Sequence, residues 1–460
     1  MTKTITFKEA AFIFVTMLGI IGVSVIYLGL SPIVPIILTL ALLILWGKWR
    51  RHSWQTIHDG IQEGVATGII PMLIFLLIGA LIASWIAAGI IPAMMVVGFK
   101  LVNVNYFIPS AFVVCAIIGT SIGSAFTTAS TVGLALMGMG ISLGFNPALL
   151  AGAIISGAVF GDKMSPLSDT TNLAAAVAGT DLFKHIKNMM WTTVPAFILS
   201  LILFFILGNQ THATQGTAEI HLLIDTLKNE FHIGWFSAIP ILLMVGSSLL
   251  KMPAIATLLL NISVSIGLYV IQSPSATIKQ IATIIEQGFV AETGVENLDA
   301  LLSRGGLNSM LGSIALILLT LSLGGLLMKF GIIEALMAPL AEKLTSPTSL
   351  ISATVIGGIL ANVLIGEQYL SIILPGKAMK PSFDKSSLDP TALSRALEDS
   401  GTVFNTLIPW GVSGVFMAAT LGVPTLVYLP FCFFNLLSPI LSIASGVTGI
   451  GLSEKEPITA

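Results

Sequence analysis

Twelve consecutive residues, Gly161-Asp162-Lys163-Met164-Ser165-Pro166-Leu167-Ser168-Asp169-Thr170-Thr171-Asn172, carry two carboxylates, four hydroxyls and an amide between apolar runs at 148–160 and 173–180. Hard oxygen donors of this kind suit a small hard cation such as Na⁺. Pro166 cannot donate a helix hydrogen bond and clashes with the preceding turn, so the sequence predicts an unwound segment there. Unwound backbone at membrane depth is tolerated only where protein buries it or a cavity receives it. Asp162 and Asp169 are two turns apart on a continuous helix, about 10 Å by helical rise. That is too far to share an ion, and unwinding at Ser165-Pro166 lets them approach. The plainer alternative is a surface loop with solvated charges. Lys163 is either a partner that keeps Asp162 ionised or a side chain snorkelling to the interface.

A second set lies downstream in two pieces. Asn362-Val363-Leu364-Ile365-Gly366-Glu367-Gln368-Tyr369 puts an acid inside the apolar run 351–374. Such an acid costs a few kcal/mol to insert and faces a bundle interior. Glu398-Asp399-Ser400-Gly401-Thr402-Val403-Phe404-Asn405 then repeats the theme of acid, hydroxyl and glycine, with Pro409 following. Asp399 reads as close to the membrane and Glu398 as still in the preceding loop. A third stretch, Gly119 to Thr131, is rich in hydroxyls and free of charge. It fits either a re-entrant hairpin tip lining the site or small-residue packing between membrane helices.

Other chemistries lack their parts. The histidines at 52, 58, 185, 212, 221 and 232 all fall in expected loops or at span edges, which disfavours a hydrolytic triad at Gly119-x-Ser121-x-Gly123. The chain contains neither a HExxH zinc motif nor a glycine-rich phosphate loop ending in Lys-Ser/Thr. Cys115 and Cys432 stand alone in apolar runs and read as small buried hydrophobes.

The elements that must position these groups follow from composition. Of 460 residues, 55% are apolar and 9% charged, with a mean hydropathy of +0.98. Soluble domains carry roughly 25% charged residues, so most of this surface faces lipid. A formal net charge of −2 offers no basic footprint for nucleic acid. Long apolar runs, rather than short alternating ones, predict an all-α polytopic membrane protein of about 11–14 segments. Lys3 and Lys8 precede a first run at 10–30 of full span length, read as a retained helix rather than a signal peptide. A second run at 33–46 ends in Lys48-Trp49-Arg50-Arg51, so both outer ends of this pair are expected in the cytoplasm. Further spans are expected at 69–88, 106–125, 129–143, 148–161, 168–180, 190–208, 233–250, 254–272, 309–328, 349–366, 403–421 and 425–446. A hydrophilic loop is expected at 377–398.

Internal similarity organises the middle of the chain. Gly64 and Gly306 open similar apolar stretches, and Gly89-Ile90-Ile91 falls on Gly331-Ile332-Ile333 at the same offset. Ser156-Gly157 resembles Ser400-Gly401 at an offset of 244. The reading is an N-terminal pair and loop at 1–63, a repeat at 64–208, a connection with two spans at 209–305, a second repeat at 306–446, and a polar tail at 447–460. Secondary transporters are commonly built from inverted repeats with the site at their midplane interface.

These motifs carry a family resemblance. Gly161-Asp-Lys-x-Ser165-Pro-x-Ser168-Asp169-Thr-Thr-Asn172, Gly366-Glu-Gln-Tyr-Leu370 with Leu374-Pro-Gly376, and Glu398-Asp-Ser-Gly401-Thr with Ile408-Pro-Trp410 resemble the signatures of NhaC-type Na⁺/H⁺ antiporters. The resemblance covers nearly the whole chain. It implies a multi-pass bacterial inner-membrane transporter with two inverted repeats, broken helices and re-entrant hairpins, and it implies no enzymatic activity. Some members exchange malate for lactate with sodium and proton coupling, and the motifs do not separate the two activities.

Burial disfavours a carboxylate's charged form and a nearby cation favours it, so one acid can bind either H⁺ or Na⁺. Asp169 and Glu367 are the leading ion and proton carriers, with Na⁺ at these two, followed by Asp162 and Asp399. Ser165, Ser168, Thr170, Asn172, Ser400, Thr402 and Asn405 are expected to supply or orient neutral oxygens. The expected partners are the lipid bilayer and the transported Na⁺ and H⁺, with no cofactor. A homodimer is one arrangement, which the sequence does not fix. An organic-acid exchanger is the alternative, and an intramembrane enzyme or sensor is a more distant one.

Overall fold

The computed structural model describes residues 5–101, 106–210, 217–341 and 344–454. Lys3, His212 and the end of the tail from 455 lie outside them. Among the described residues the chain is helical, with one isolated antiparallel bridge between Leu388 and Glu454.

The N-terminal pair is α1 (Phe7–Gly22), extended by a π-helical turn, and α2 (Ile33–Trp49). Arg50, just past α2, lies 3.4 Å from Glu9 in the first turn of α1, so the outer ends of the pair meet on one side. The following stretch runs through α3 (Trp54–Ala66), α4 (Ile69–Ala87), α5 (Ile90–Leu101), α6 (Phe107–Ile122), α7 (Ala125–Thr128), α8 (Leu134–Ser142), α9 (Pro147–Met164), α10 (Asp169–Ala178) and α11 (Leu182–Gln210). A connection contains α12 (Thr217–Glu230), α13 (Ala238–Leu249), α14 (Ala254–Gln272), α15 (Ile278–Gln287) and α16 (Glu296–Leu302). The last stretch is α17 (Leu311–Lys329), α18 (Ile332–Ala341), α19 (Pro347–Ile365), α20 (Gln368–Lys385), α21 (Pro390–Leu397), α22 (Val412–Leu421), α23 (Thr425–Tyr428) and α24 (Phe433–Thr448).

Among the described residues, eight helical stretches are long and apolar enough to cross a membrane, and three bent pairs raise the number to eleven. Three shorter apolar helices, α2, α6 and most of α5, accompany them. Burial separates inner from outer elements. In α9, 78% of the apolar window is covered by protein, against 28% in α11 and α14. The uncovered faces carry Ile198, Ile202 and Phe205 on α11, side chains that only lipid can satisfy.

Two expectations are corrected. The segment 377–398 is not a loop: α20 runs to Lys385 and α21 occupies Pro390–Leu397. Asp389 caps α21 by accepting the Thr391 N–H at 2.9 Å, Pro390 fits its first turn, and Ala392, Leu393, Ala396 and Leu397 are buried. Its polar residues had masked an amphipathic helix. The intervals 90–101 and 332–341, outside the expected spans, are α5 and α18.

Backbone turns recur along the chain. Gly89 and Gly331 precede α5 and α18 with φ of 70° and 74°. Gly123 and Gly366 end α6 and α19 at 75° and 72°. Gly179 and Gly422 end α10 and α22 at 79° and 74°. Left-handed backbone of this kind favours glycine, which has no Cβ to strain.

Candidate functional site

A cavity of about 960 Å³ opens between the α9–α10 break, the α6–α7 turn, the α19–α20 turn and the start of α22. Asp162, Asp169 and Glu367 line it, together with Ser168, Thr170, Thr402, Thr406 and Ser413. Among the described residues, Lys251 is the one basic side chain on its wall.

The break forms as Pro166 demands. α9 stops at Met164, and Ser165 turns extended (φ −83°, ψ 130°), the conformation required before proline. The carbonyls this releases find partners inside the break. Asn172 Nδ2 donates to Pro166 O at 3.0 Å and Ser168 O at 2.7 Å, and Thr171 Oγ1 donates to Lys163 O at 3.1 Å. Ser165 Oγ accepts the Leu167 N–H. Ser168 caps α10 and its hydroxyl lies 3.1 Å from Thr170 Oγ1. Asn172 and Ser165 thereby act as stitches of the break. Asp162 faces the Ser168 hydroxyl and the Ala125 N–H, with Asp169 as its charged neighbour.

α6 and α9 hold this break against the α6–α7 turn by close backbone approach. A Cβ on Gly161 would sit 2.5 Å from Thr120 N, so only glycine fits. Gly123 and Ser124 make the turn itself, and Ser124 Oγ caps α7 by accepting Thr127 N–H at 3.3 Å. The Gly119–Thr131 stretch therefore packs by small residues at one end and lines the cavity at the other.

Glu367 is the N-cap of α20. It is 2% exposed, and its Oε2 accepts the Leu370 N–H at 2.8 Å. A chain of buried amides sets its turn. Asn362 Nδ2 donates to the carbonyls of Ser400 and Gly401, both at 2.9 Å. Asn405 Nδ2 donates to Asn362 Oδ1, and Asn405 Oδ1 accepts the Ser413 N–H. Val412 N–H donates to Gly366 O at 2.7 Å. Asn405 is thus spent on scaffold, and the Ser400 hydroxyl donates to Ala396 O at 2.7 Å. Thr402 lines the cavity, and its hydroxyl faces the Glu398 carboxylate.

Asp399 sits behind the cavity. It is fully buried and paired with Lys163, and Thr192 Oγ1 donates to it at 3.3 Å. Lys163 therefore serves neither Asp162 nor a membrane interface. Glu398 is likewise fully buried, in a π-helical turn at Glu398–Thr402, which corrects its assignment to a loop. His185, expected in a loop or at a span edge, lies instead within α11 and is buried near Lys163, with both ring nitrogens unpartnered among the described residues. Arg395 is buried too, donating to Gly451 O and Ser445 Oγ. Tyr369 faces Asp169, Glu367 and Asp162. The signal for Glu398 and Arg395 was the apolar spacing of Ala392, Leu393, Ala396 and Leu397, which carries a helix into the interior. Among the described residues no three His, Cys, Asp or Glu side chains cluster closely enough to hold a metal. A cation here would draw on hydroxyls, carbonyls and water beside the acids.

A family model described as the Na⁺/H⁺ antiporter family matches residues 157–450. The Na⁺/H⁺ antiporter NhaC of Alkalihalophilus pseudofirmus is 40% identical over 442 residues, 96% of each chain. The NhaC of Bacillus subtilis is 39% identical over 445 residues, covering 96% of this chain and 98% of that one. The malate-2H⁺/Na⁺-lactate antiporter of Bacillus subtilis is 33% identical over 362 residues, covering 78% and 77%.

Proposed function

The chain belongs to the Na⁺/H⁺ antiporter family, and on that premise we propose that it exchanges Na⁺ for H⁺ across the bacterial inner membrane at the cavity just described. The observation that carries this reading is the convergence of Asp162, Asp169 and Glu367 on one cavity from two stretches far apart in the chain. The reading treats 64–208 and 306–446 as two transport repeats that alternate access to that cavity.

Competition at the acids supplies the coupling. Each acid is stabilised either by a proton or by a nearby Na⁺, and binding one weakens the other. Asp169 and Glu367 are the leading carriers of the ion, with Asp162 behind them, and hydroxyls, carbonyls and water supply the other oxygens. Asp399 acts from behind through its pair with Lys163. Lowering the pH fills the acids with protons, so the apparent affinity for Na⁺ falls in acid and rises in alkali. Sodium titrations of proton flux at several pH values test this: an apparent KM for Na⁺ that does not change with pH contradicts competition.

Sodium-coupled organic-acid exchange is the second reading, motivated by the malate–lactate relative and by a cavity larger than one ion fills. Three acids against one lysine weigh against an anionic cargo. Uptake of radioactive malate decides between the two.

A further inference from the structure

Glu398 has surroundings that the exchange reading above does not use. Thr170 Oγ1 donates to Glu398 Oε1 at 3.3 Å and lies 3.1 Å from Ser168 Oγ, whose hydroxyl faces the Asp162 carboxylate. Two hydroxyls thus lie between a buried acid of one stretch and a cavity acid of the other. A hydroxyl both donates and accepts, and its hydrogen rotates, so each link can pass a proton on. Glu398 Oε2 accepts no hydrogen bond of ordinary geometry among the described residues, and the Thr402 hydroxyl is the neighbour that faces this carboxylate. Oε2 is a seat for a proton.

The charges around it are few. Lys163 and Asp162 face it from α9. Asp399, the next residue, is taken up by Lys163, and Arg395, one turn earlier, by Ser445 and Gly451. α10 presents Thr170. α19 and α24 contain no ionisable side chain, and on α20 Lys380 donates to Ala178 O while Lys377 is exposed.

We propose that Glu398 is a second proton-carrying residue of the exchange, linked to Asp162 by a relay through Thr170 and Ser168. When Na⁺ enters from one side, the O–H bond at Glu398 breaks, each hydroxyl oxygen takes a proton as its own moves on, and Asp162 passes one proton to cavity water, which carries it out on that side. One negative charge is left at Glu398, facing Lys163. When Na⁺ leaves on the other side, cavity water there returns one proton to Asp162, and the relay re-forms the O–H bond at Glu398.

The inference rests on the Na⁺/H⁺ reading, and the full chain reconstituted in vesicles tests the two separately. Na⁺/Na⁺ exchange of radioactive sodium moves no proton, whereas Na⁺/H⁺ exchange does. Glu398→Gln is expected to keep Na⁺/Na⁺ exchange within about twofold and to lose Na⁺/H⁺ exchange by at least about tenfold. Thr170→Val should lose Na⁺/H⁺ exchange by a larger factor than Na⁺/Na⁺ exchange, and Thr170→Ser, which keeps the hydroxyl, should restore proton coupling. If Glu398→Gln fails to fold, the Thr170 pair carries the test. Unchanged Na⁺/H⁺ exchange in Glu398→Gln or Thr170→Val overturns the relay, as does parallel loss of both exchanges, the signature of a structural role. A wild type that moves sodium without protons overturns the antiporter reading instead.

Discussion

Two turns on the cavity wall share a backbone and differ in charge. At Gly123-Ser124 and at Gly366-Glu367, 243 residues apart, a left-handed glycine ends one helix and an extended residue caps the next. Ser124 accepts the Thr127 N–H, and Glu367 accepts the Leu370 N–H. The first cap is neutral and the second is an acid. The breaks reverse the pattern. Asp162 and Asp169 line the cavity from the first, while Thr406 and Ser413, at an offset of 244, line it from the second. Backbone recurs between the two stretches, whereas charge is placed once per related pair. A capping residue need only accept one hydrogen bond, so the fold permits Ser or Glu there, and on the exchange proposal Glu367 is chosen for its charge.

The largest effect is expected where the two stretches are pinned together. Asp399→Leu strands Lys163 as an unpaired buried charge, at a cost of about 3–5 kcal/mol. Adding Lys163→Met should recover most of it, read as the unfolding temperature in detergent. Equal losses in single and double variants would show that the pair does not join the stretches.

The contrast between the turns comes next. Glu367→Gln keeps an oxygen to cap α20 and removes the charge, and it should lower the affinity for Na⁺ by about ten- to a hundredfold. Exchanging the two caps, Glu367→Ser with Ser124→Glu, leaves both helices capped but sets the new carboxylate beside Asp162. That double variant should remain as weak as Glu367→Gln. Restored sodium affinity would mean that the two turns are interchangeable after all.

Asn362→Ala removes the amide that holds the Ser400 and Gly401 carbonyls, a cost of about 1–3 kcal/mol, visible as a lower unfolding temperature. The smallest effect belongs to Ser124→Ala, which loses one cap worth about 1 kcal/mol. Its sodium affinity should stay near that of the wild type.

Much of this contrast was legible before the structure. Pro166 announced the α9–α10 break, because a missing N–H is a local property. The apolar run around Glu367 announced a buried acid, because hydropathy alone decides that. Gly89 and Gly331 were visible as a match because they share an offset with Gly64 and Gly306, whereas Gly123 and Gly366 were not paired from sequence. The partner of Lys163 was not visible, since Asp399 lies 236 residues away and only tertiary packing brings it close. Glu398 and Arg395 were hidden for another reason. α21 is polar in composition but amphipathic in spacing, and composition was allowed to outweigh spacing. The uses of Asn172 and Asn405 were also illegible, because an amide reads the same whether it faces an ion or a backbone carbonyl.

Proton flux in everted vesicles from a host lacking its own antiporters tests the central claim most directly. A respiration-built pH gradient is challenged with Na⁺, then with malate and lactate, for the wild type and Asp169→Asn. The account predicts that Na⁺ alone collapses the gradient in the wild type and that the variant abolishes the collapse. A gradient that Na⁺ leaves intact until an organic acid is added, or a variant that still responds to Na⁺, would contradict it.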